Sequence, residues 1–232
     1  MKLTLKEFTH DYSIYHFGYT LWGEREEKDK LSNLYESGFL PYSGIKDVKD
    51  TMYMARSIRV PLENFIPSSE NRRILKKFEN RFDRTVTSFN DFDTDSISFR
   101  RFCNKYFKDW HGIDFDEKLR TVLGAGFITH IATYRDEDNI IGYVLLDGDK
   151  EMSHYWFSFY DTEYIKQSLG MWMMINEVLE AKKANRSYMY LGTGYGEKAR
   201  YKMNFKNIEY WDGSEWVADI RKLKGLVDKD CK

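Results

Sequence analysis

The chain has 232 residues, 42% of them hydrophobic and 17% aromatic, enough for one large domain or two small lobes sharing a core without metal or disulfide support. Its 36 basic and 37 acidic residues leave a net charge of −1, which excludes a charged disordered tail and any global attraction to nucleic acid. Only two cysteines occur, Cys103 and Cys231, which exclude a disulfide framework or a zinc site and read as free thiols of a reducing cytoplasm. The start, "MKLTLKEFTHDY", lacks the apolar run of a signal peptide, and the most apolar stretch, "GMWMMI", is too short to span a bilayer.

In chain order, residues 11–23 alternate aromatic and polar positions and predict a strand. "EREEKDKLSNLYESGF" has helical period, with Leu31, Leu34 and Tyr35 on one face and Gly38 to end it. "YMARSIRVPL" reads as one strand stopped at Pro61. "SSENRRILKKFENRF" opens with serine caps and continues as a helix. The polar segment 88–96, "SFNDFDTDS", reads as a join between lobes. Then comes the helix "SISFRRFCNKYFKDWHG", closed by Gly112, followed by three strands at 127–134, 140–147 and 153–160 with short turns. Residues 168–185 predict a helix burying Met171, Trp172, Ile175, Val178 and Leu179. "SYMYLG" adds a strand, and "NIEYW" and "EWV" close around an Asp212-Gly213 turn. Antiparallel meander, helix, strand is an α+β order with the helix on one face of the sheet.

Two basic clusters stand out. Arg72, Arg73, Lys76 and Lys77 form i,i+4 pairs on one helix face, a spacing that suits several phosphates along a strand and equally a solvated surface. Lys198, Arg200, Lys202 and Lys206 interleave with Tyr201 and Phe205, a pattern that suits a single-stranded nucleic-acid end and also a solvated surface. "LGTGYGEKA" is not a phosphate loop of Walker type, because Glu197 follows Gly196 and Ala199 follows Lys198. His16, His111, His130 and His154 are isolated and read as structural, and no metal grouping can be assembled.

The order and spacing of 127–191 resemble the GNAT acyltransferase core. In that fold an [R/Q]-x-x-G-x-[G/A] loop presents backbone amides to the pyrophosphate of coenzyme A at a helix start. Gln167 and Gly170 match that pattern. Trp172 falls where a small residue is expected, so coenzyme A is not the expected donor. Trp172 has a second reading, as a core residue.

Five further stretches, collinear over roughly residues 31–216, carry a more specific likeness. "LYESGFLPYSG" is similar to Gly-Phe-Arg-Arg-Ser-Gly, and "RSIRVPLENFIPSSENRRILKKF" to R-I-x-V-x-x-F-x-P-S-x-x-x-R-R. "YFKDWHG" is similar to Y-x-x-x-R-H, "FSFYDTEYIKQSLG" to F-Y-D-P…R-S-L-G, and "YMYLGTGYGEKARYKMNF" to Y-x-Y-L-G…K-M-x-Y-K-x-x-F. Together they resemble the arginyl-tRNA–protein transferase family, including its leucyl-transferring bacterial branch.

The resemblance implies a GNAT-like C-terminal catalytic lobe at 96–220, a smaller N-terminal α/β lobe at 1–95 and a basic tail at 221–232. It implies transfer of an amino acid from aminoacyl-tRNA to the amino group of a protein or peptide N-terminus, without a cofactor. Asp161, at the family's F-Y-D position, would hold or deprotonate the incoming amine, or merely cap a turn. Arg72, Arg73, Lys76, Gln167, Ser168, Leu169, Gly170, Lys198, Tyr201 and Lys202 would bind the tRNA end. Arg59, Tyr160, Trp172 and Tyr190 would form the substrate pocket.

The chain departs from the family in two places. Leu40-Pro41-Tyr42 replaces the Arg-Arg of the first motif, and Met52 and Ala55 stand where a cysteine pair is expected. Both changes put the usual acceptor, a protein with an acidic N-terminal residue, in question. An acyl-coenzyme A N-acyltransferase and a non-catalytic relative that binds tRNA or a protein are the alternatives.

Overall fold

The computed structural model describes residues 1–11, 13, 16–111 and 116–231. Gly112 and the side chains of His16, Trp110 and His111 lie outside what it describes. Two sheets organise the chain. The smaller runs in the order β1 (Lys2–Asp11), β2 (His16–Glu24), β4 (Thr51–Met54), β3 (Phe39–Pro41), all antiparallel. Helix α1 (Leu31–Glu36) leads into β3 and buries Leu31, Leu34 and Tyr35, the face expected from the sequence.

The larger sheet has eight strands, which include β5 (Ser57–Pro61), β6 (Asp83–Ser88), β7 (His130–Asp136), β8 (Asn139–Gly148), β9 (Met152–Tyr160) and β10 (Tyr188–Thr193). With β11 (Glu209–Trp211) and β12 (Trp216–Val217) the order is β12-β11-β5-β10-β9-β8-β7-β6. Every neighbouring pair is antiparallel except β9 and β10. The core is therefore α+β with the GNAT-like sequence of antiparallel meander, helix and parallel strand.

Helices cover both faces of this sheet. α2 (Ser69–Lys76), α5 (Leu169–Lys183) and α6 (Ile220–Asp230) enclose the main core, and α3 (Ile97–His111) and α4 (Asp116–Leu123) enclose a second one. α2 starts with a reciprocal cap: the Asn71 amide donates to Ser68 Oγ at 3.0 Å, and the Ser68 amide to Asn71 Oδ1 at 3.1 Å. Among the described residues no helix is long and apolar enough to cross a membrane.

Three expectations need correction. The boundary at residue 95 cuts through one sheet, because β5 pairs with β10 and β6 with β7. "YMARSIRVPL" is two strands in different sheets, and the unassigned stretch 83–88 is an edge strand that exposes Asp83, Thr85 and Val86 and turns Arg84 inward. The basic tail is the helix α6, which buries Leu223 and Val227 at i,i+4.

α5 is held from the side facing away from β10. Arg84 of β6 grips Glu177 through Nε and Nη2 at 2.8 and 2.7 Å, and the Tyr134 hydroxyl donates to the same carboxylate at 2.6 Å. Trp172 packs in the same layer, its ring 5.8 Å from Phe78, 5.4 Å from Phe82 and 5.5 Å from Tyr134. Trp172→Ala is expected to cost about 3–5 kcal/mol of folding stability in denaturant titration. A cost below about 1 kcal/mol would contradict this placement.

Candidate active site

The parallel partnership of β9 and β10 lasts three residue pairs, Tyr188 with Met152, Met189 with Ser153 and Tyr190 with His154. Beyond His154 the strands part. Each carries a register shift at the fork, on β9 between Tyr155 and Phe157 and on β10 between Tyr190 and Gly192. Bulges bend a strand and re-aim its side chains, and they recur beside active sites.

The fork opens two adjoining chambers. The outer one, about 740 Å³, lies between Tyr106 of α3, Tyr155, Ser158 and Tyr160 of β9, Gly170, Met171 and Met174 of α5, and Glu197, Lys198, Arg200 and Tyr201. The inner one, about 410 Å³, shares Tyr155, Ser158, Met174 and Tyr201 with it. The inner chamber continues to residues 40–44, Tyr53, Lys118, His154, Gly192, Thr193 and Lys202.

Of the residues expected from the sequence, Tyr160, Gly170, Lys198 and Tyr201 line the outer chamber and Lys202 the inner one. Gly170 is required by packing, since a Cβ there would come within 2.6 Å of the Tyr160 ring. Ser168 sits in the left-handed region at φ 70° before α5, and Leu169 is fully buried, so this loop offers a ligand backbone rather than the leucine side chain. Gln167 is exposed, and its carbonyl accepts from Lys77 Nζ at 3.1 Å, which joins the basic face of α2 to the loop. On that face Arg73 pairs with Glu70, Arg72 donates to the Pro67 carbonyl, and Lys76 is exposed.

Four of the expected residues stand elsewhere. Trp172 is core and lies outside both chambers, so the objection to coenzyme A that rested on its bulk fails. Asp161 caps the turn at Thr162–Gln167 by accepting the Glu163 amide at 3.1 Å, with Lys105 Nζ 3.9 Å away, and it lines neither chamber. Arg59 is sandwiched between Tyr188 and Trp216, its guanidinium 3.8 and 4.0 Å from their rings. It pairs with Glu209 at 2.7 Å and Glu36 at 2.5 Å. Tyr190 is buried beside it, with its ring 4.8 Å from Tyr35. Arg59 and Tyr190 thus clamp α1 to the sheet instead of forming a pocket.

A buried polar cluster at the fork was not expected. The Tyr35 hydroxyl donates to Asp147 Oδ2 at 2.5 Å and stands 2.8 Å from His154 Nδ1. All three residues are at most 2% exposed, and among the described residues His154 Nε2 has no partner. Lys202, also buried, donates to the Thr193 carbonyl at 2.7 Å. Burial drives the Asp147 carboxyl up to about 7, opposed by the Tyr35 hydroxyl, the Gly148 amide and Arg25, with Asp149 adding to the rise. Burial also lowers the Lys202 ammonium to about 8. Burial first, then the Lys202 charge, pushes His154 down to about 3 and keeps it neutral. Sequence spacing could not reveal this cluster: Tyr35 reaches its partners across 112 and 119 residues.

The Asp147 shift has a definite sign for stability. A carboxyl at about 7 when folded and near 3.8 when unfolded favours folding below pH 3.8 and loses that contribution as pH rises through 7. Asp147→Asn lacks this loss, so its melting temperature is expected to gain on that of the wild type as pH rises from about 4 to 7 and to hold level above. A difference that does not change with pH would contradict a buried, titrating Asp147.

Residues 71–212, more than half of the chain, match the family described as arginine-tRNA-protein transferase, C terminus. The aspartate/glutamate leucyltransferase of Saccharophagus degradans is 30% identical over 173 residues, covering 70% of this chain and 71% of that protein. The enzyme of the same name from Dinoroseobacter shibae is 26% identical over 175 residues, covering 69% and 61%. Among solved structures, L-PGS from Bacillus licheniformis superposes with a TM-score of 0.44 at 14% identity, covering 70% of this chain and 49% of that one. The chain belongs to the arginine-tRNA-protein transferase family, whose C-terminal part it matches through the α2–β11 region that builds the fork.

Proposed function

We propose that this chain transfers an amino acid from aminoacyl-tRNA to the amino group of a protein or peptide N-terminus. The observation that carries the reading is the two-chambered cleft. The outer chamber offers Tyr106, Tyr160 and Tyr201 as stacking faces for a terminal adenosine, and Lys198 and Arg200 as cations beside them. Base stacking on an aromatic face contributes about 1–3 kcal/mol per base. The ester then reaches the inner chamber, whose walls include Lys202 and His154. The ester is already activated, so positioning the amine against it supplies most of the acceleration, on the order of 7–11 kcal/mol at best.

Arg72, Arg73 and Lys76 of α2 would track the tRNA backbone outward, beyond the loop at Gln167, Ser168, Leu169 and Gly170. The names of the relatives make leucyl-tRNA the first donor to test, ahead of arginyl-tRNA. The acceptor side of the inner chamber carries Leu40, Pro41 and Tyr42, where the family carries its arginine pair, with Lys118 beside them, so an acidic acceptor end would meet one lysine there in place of two arginines.

Radiolabelled leucyl-tRNA incubated with peptides of varied N-terminus is expected to give labelled peptide. Lys198→Glu is expected to weaken tRNA binding several-fold and to lower its salt dependence by about one ion. No transfer from any aminoacyl-tRNA, or clear thermal stabilisation by micromolar acetyl-coenzyme A, would contradict the reading in favour of the coenzyme A alternative or a non-catalytic one.

A further inference from the structure

We propose that Asp147, Tyr35 and His154 form a proton relay whose open end, His154 Nε2, takes the proton of the attacking amine in the inner chamber. This rests on the aminoacyl-transfer reading above.

The hydrogen-bond directions follow from the atoms present. Ionised Asp147 can only accept, so the Tyr35 hydroxyl spends its single proton on Oδ2. His154 Nδ1, 2.8 Å away, must then be the donor to the tyrosine oxygen. A neutral imidazole with its proton on Nδ1 has a lone pair on Nε2. That nitrogen is buried and unpartnered on a residue that lines the inner chamber, an arrangement that leaves a hydrogen-bond acceptor waiting for a donor.

The backbone beside it carries no side chain. A Cβ on Gly192 would lie in van der Waals contact with both nitrogens, 3.8 Å from Nε2 and 3.6 Å from Lys202 Nζ, so the glycine leaves a gap of about one methyl group between them. An amine nitrogen displaced from that point by about 1 Å toward the imidazole comes within hydrogen-bond distance of Nε2, and a carbonyl oxygen displaced the other way comes within reach of the ammonium.

The step balances without charging the imidazole. The amine nitrogen bonds to the ester carbon and its proton passes to Nε2. The Nδ1 proton passes to the Tyr35 oxygen, and the tyrosine proton to Asp147 Oδ2. The negative charge moves from the carboxylate to the former carbonyl oxygen, where the Lys202 ammonium faces it. As the ester C–O bond breaks, the relay runs backward and returns one proton to the ribose oxygen that leaves. Asp147 is thus the group that stores the proton, and His154 is the catalytic residue that touches the amine. Tyr35 is the positioning residue between them. A carboxyl that titrates near 7 suits storage at neutral pH, and an imidazole held neutral suits transmission.

Charged neighbours act on both ends of the relay. Asp147 faces Tyr35 from α1, Arg25 beyond β2 and Asp149 from the β8–β9 turn, and Arg25 is itself paired with Asp50. His154 faces Tyr35, the Trp156 ring and Lys202.

Nitrogen NMR of ring-labelled wild-type protein tests the wiring without any substrate. Nε2 is expected to be unprotonated above about pH 7.5 and to carry the proton below about pH 6.5, because protonated Asp147 reverses every donor in the chain. Asp147→Asn is expected to hold one tautomer throughout. In transfer assays Tyr35→Phe is expected to lower kcat by about 100-fold with KM unchanged. A wild-type ring that keeps one tautomer between about pH 5.5 and 8.5 overturns the relay. So does a Tyr35→Phe protein that transfers at the wild-type kcat. A wild-type protein that transfers nothing overturns the donor reading, and the relay's use with it, even where the tautomer switch is seen.

Discussion

The fold turns on a parallel pairing that stops early. Three residue pairs join β9 to β10, and past His154 each strand has lost its neighbour on that side. Unpaired backbone groups inside a protein cost free energy unless something else meets them. Here the bulges at the fork bend both strands, and the α5 start and the turn at Glu197–Asn204 close around the gap. The Arg84–Glu177 pair and Trp172 fix α5 from behind, so its first turn cannot slide into the opening. The cleft is therefore bounded on the α5 side by the framework itself.

The inner chamber is assembled from distant segments at some energetic cost. α1 supplies Tyr35, β8 supplies Asp147, β9 supplies His154, and the turn before β11 supplies Lys202. Among the described residues Asp147 Oδ1 and His154 Nε2 are buried without partners, and each such group costs on the order of 1–3 kcal/mol. Stable cores avoid such expense, and sites built to receive polar groups accept it. Arg59 contributes indirectly. Stacked between Tyr188 and Trp216, it holds Glu36 at the end of α1 and so keeps Tyr35 on its partners.

Much of this was legible in the residues. The three-strand meander and the helix after it appear within a few positions of their expected bounds, because period-2 alternation and the stripe of Trp172, Ile175 and Val178 report burial directly. The α2 cap and the Asp212-Gly213 turn were also readable, since their chemistry is local. What escaped was non-local. β6 gives no strand signal because Asp83, Thr85 and Val86 of this edge strand are exposed, and α6 looks like a tail because only Leu223 and Val227 are fully buried. Asp161 carried the expected family position but spends its carboxylate on a turn amide. His154 looked isolated because its partners arrive from other elements.

The departures from the family now have places. Met52 and Ala55, at the positions of the expected cysteine pair, are buried in the small core that seats α1. Leu40, Pro41 and Tyr42 face the inner chamber, and the Trp22 ring meets the Tyr42 ring edge-on at 4.5 Å. One substitution fills space and the other reshapes the wall that an acceptor would meet. A crystal structure with a non-hydrolysable amide analogue of leucyl-adenosine shows whether the fork between β9 and β10 holds the reacting ester. The adenine is expected against Tyr106, Tyr160 or Tyr201 and the leucyl amide beside His154 Nε2 and Lys202. An analogue bound outside the fork, or with its leucyl end turned away from His154, would contradict that placement.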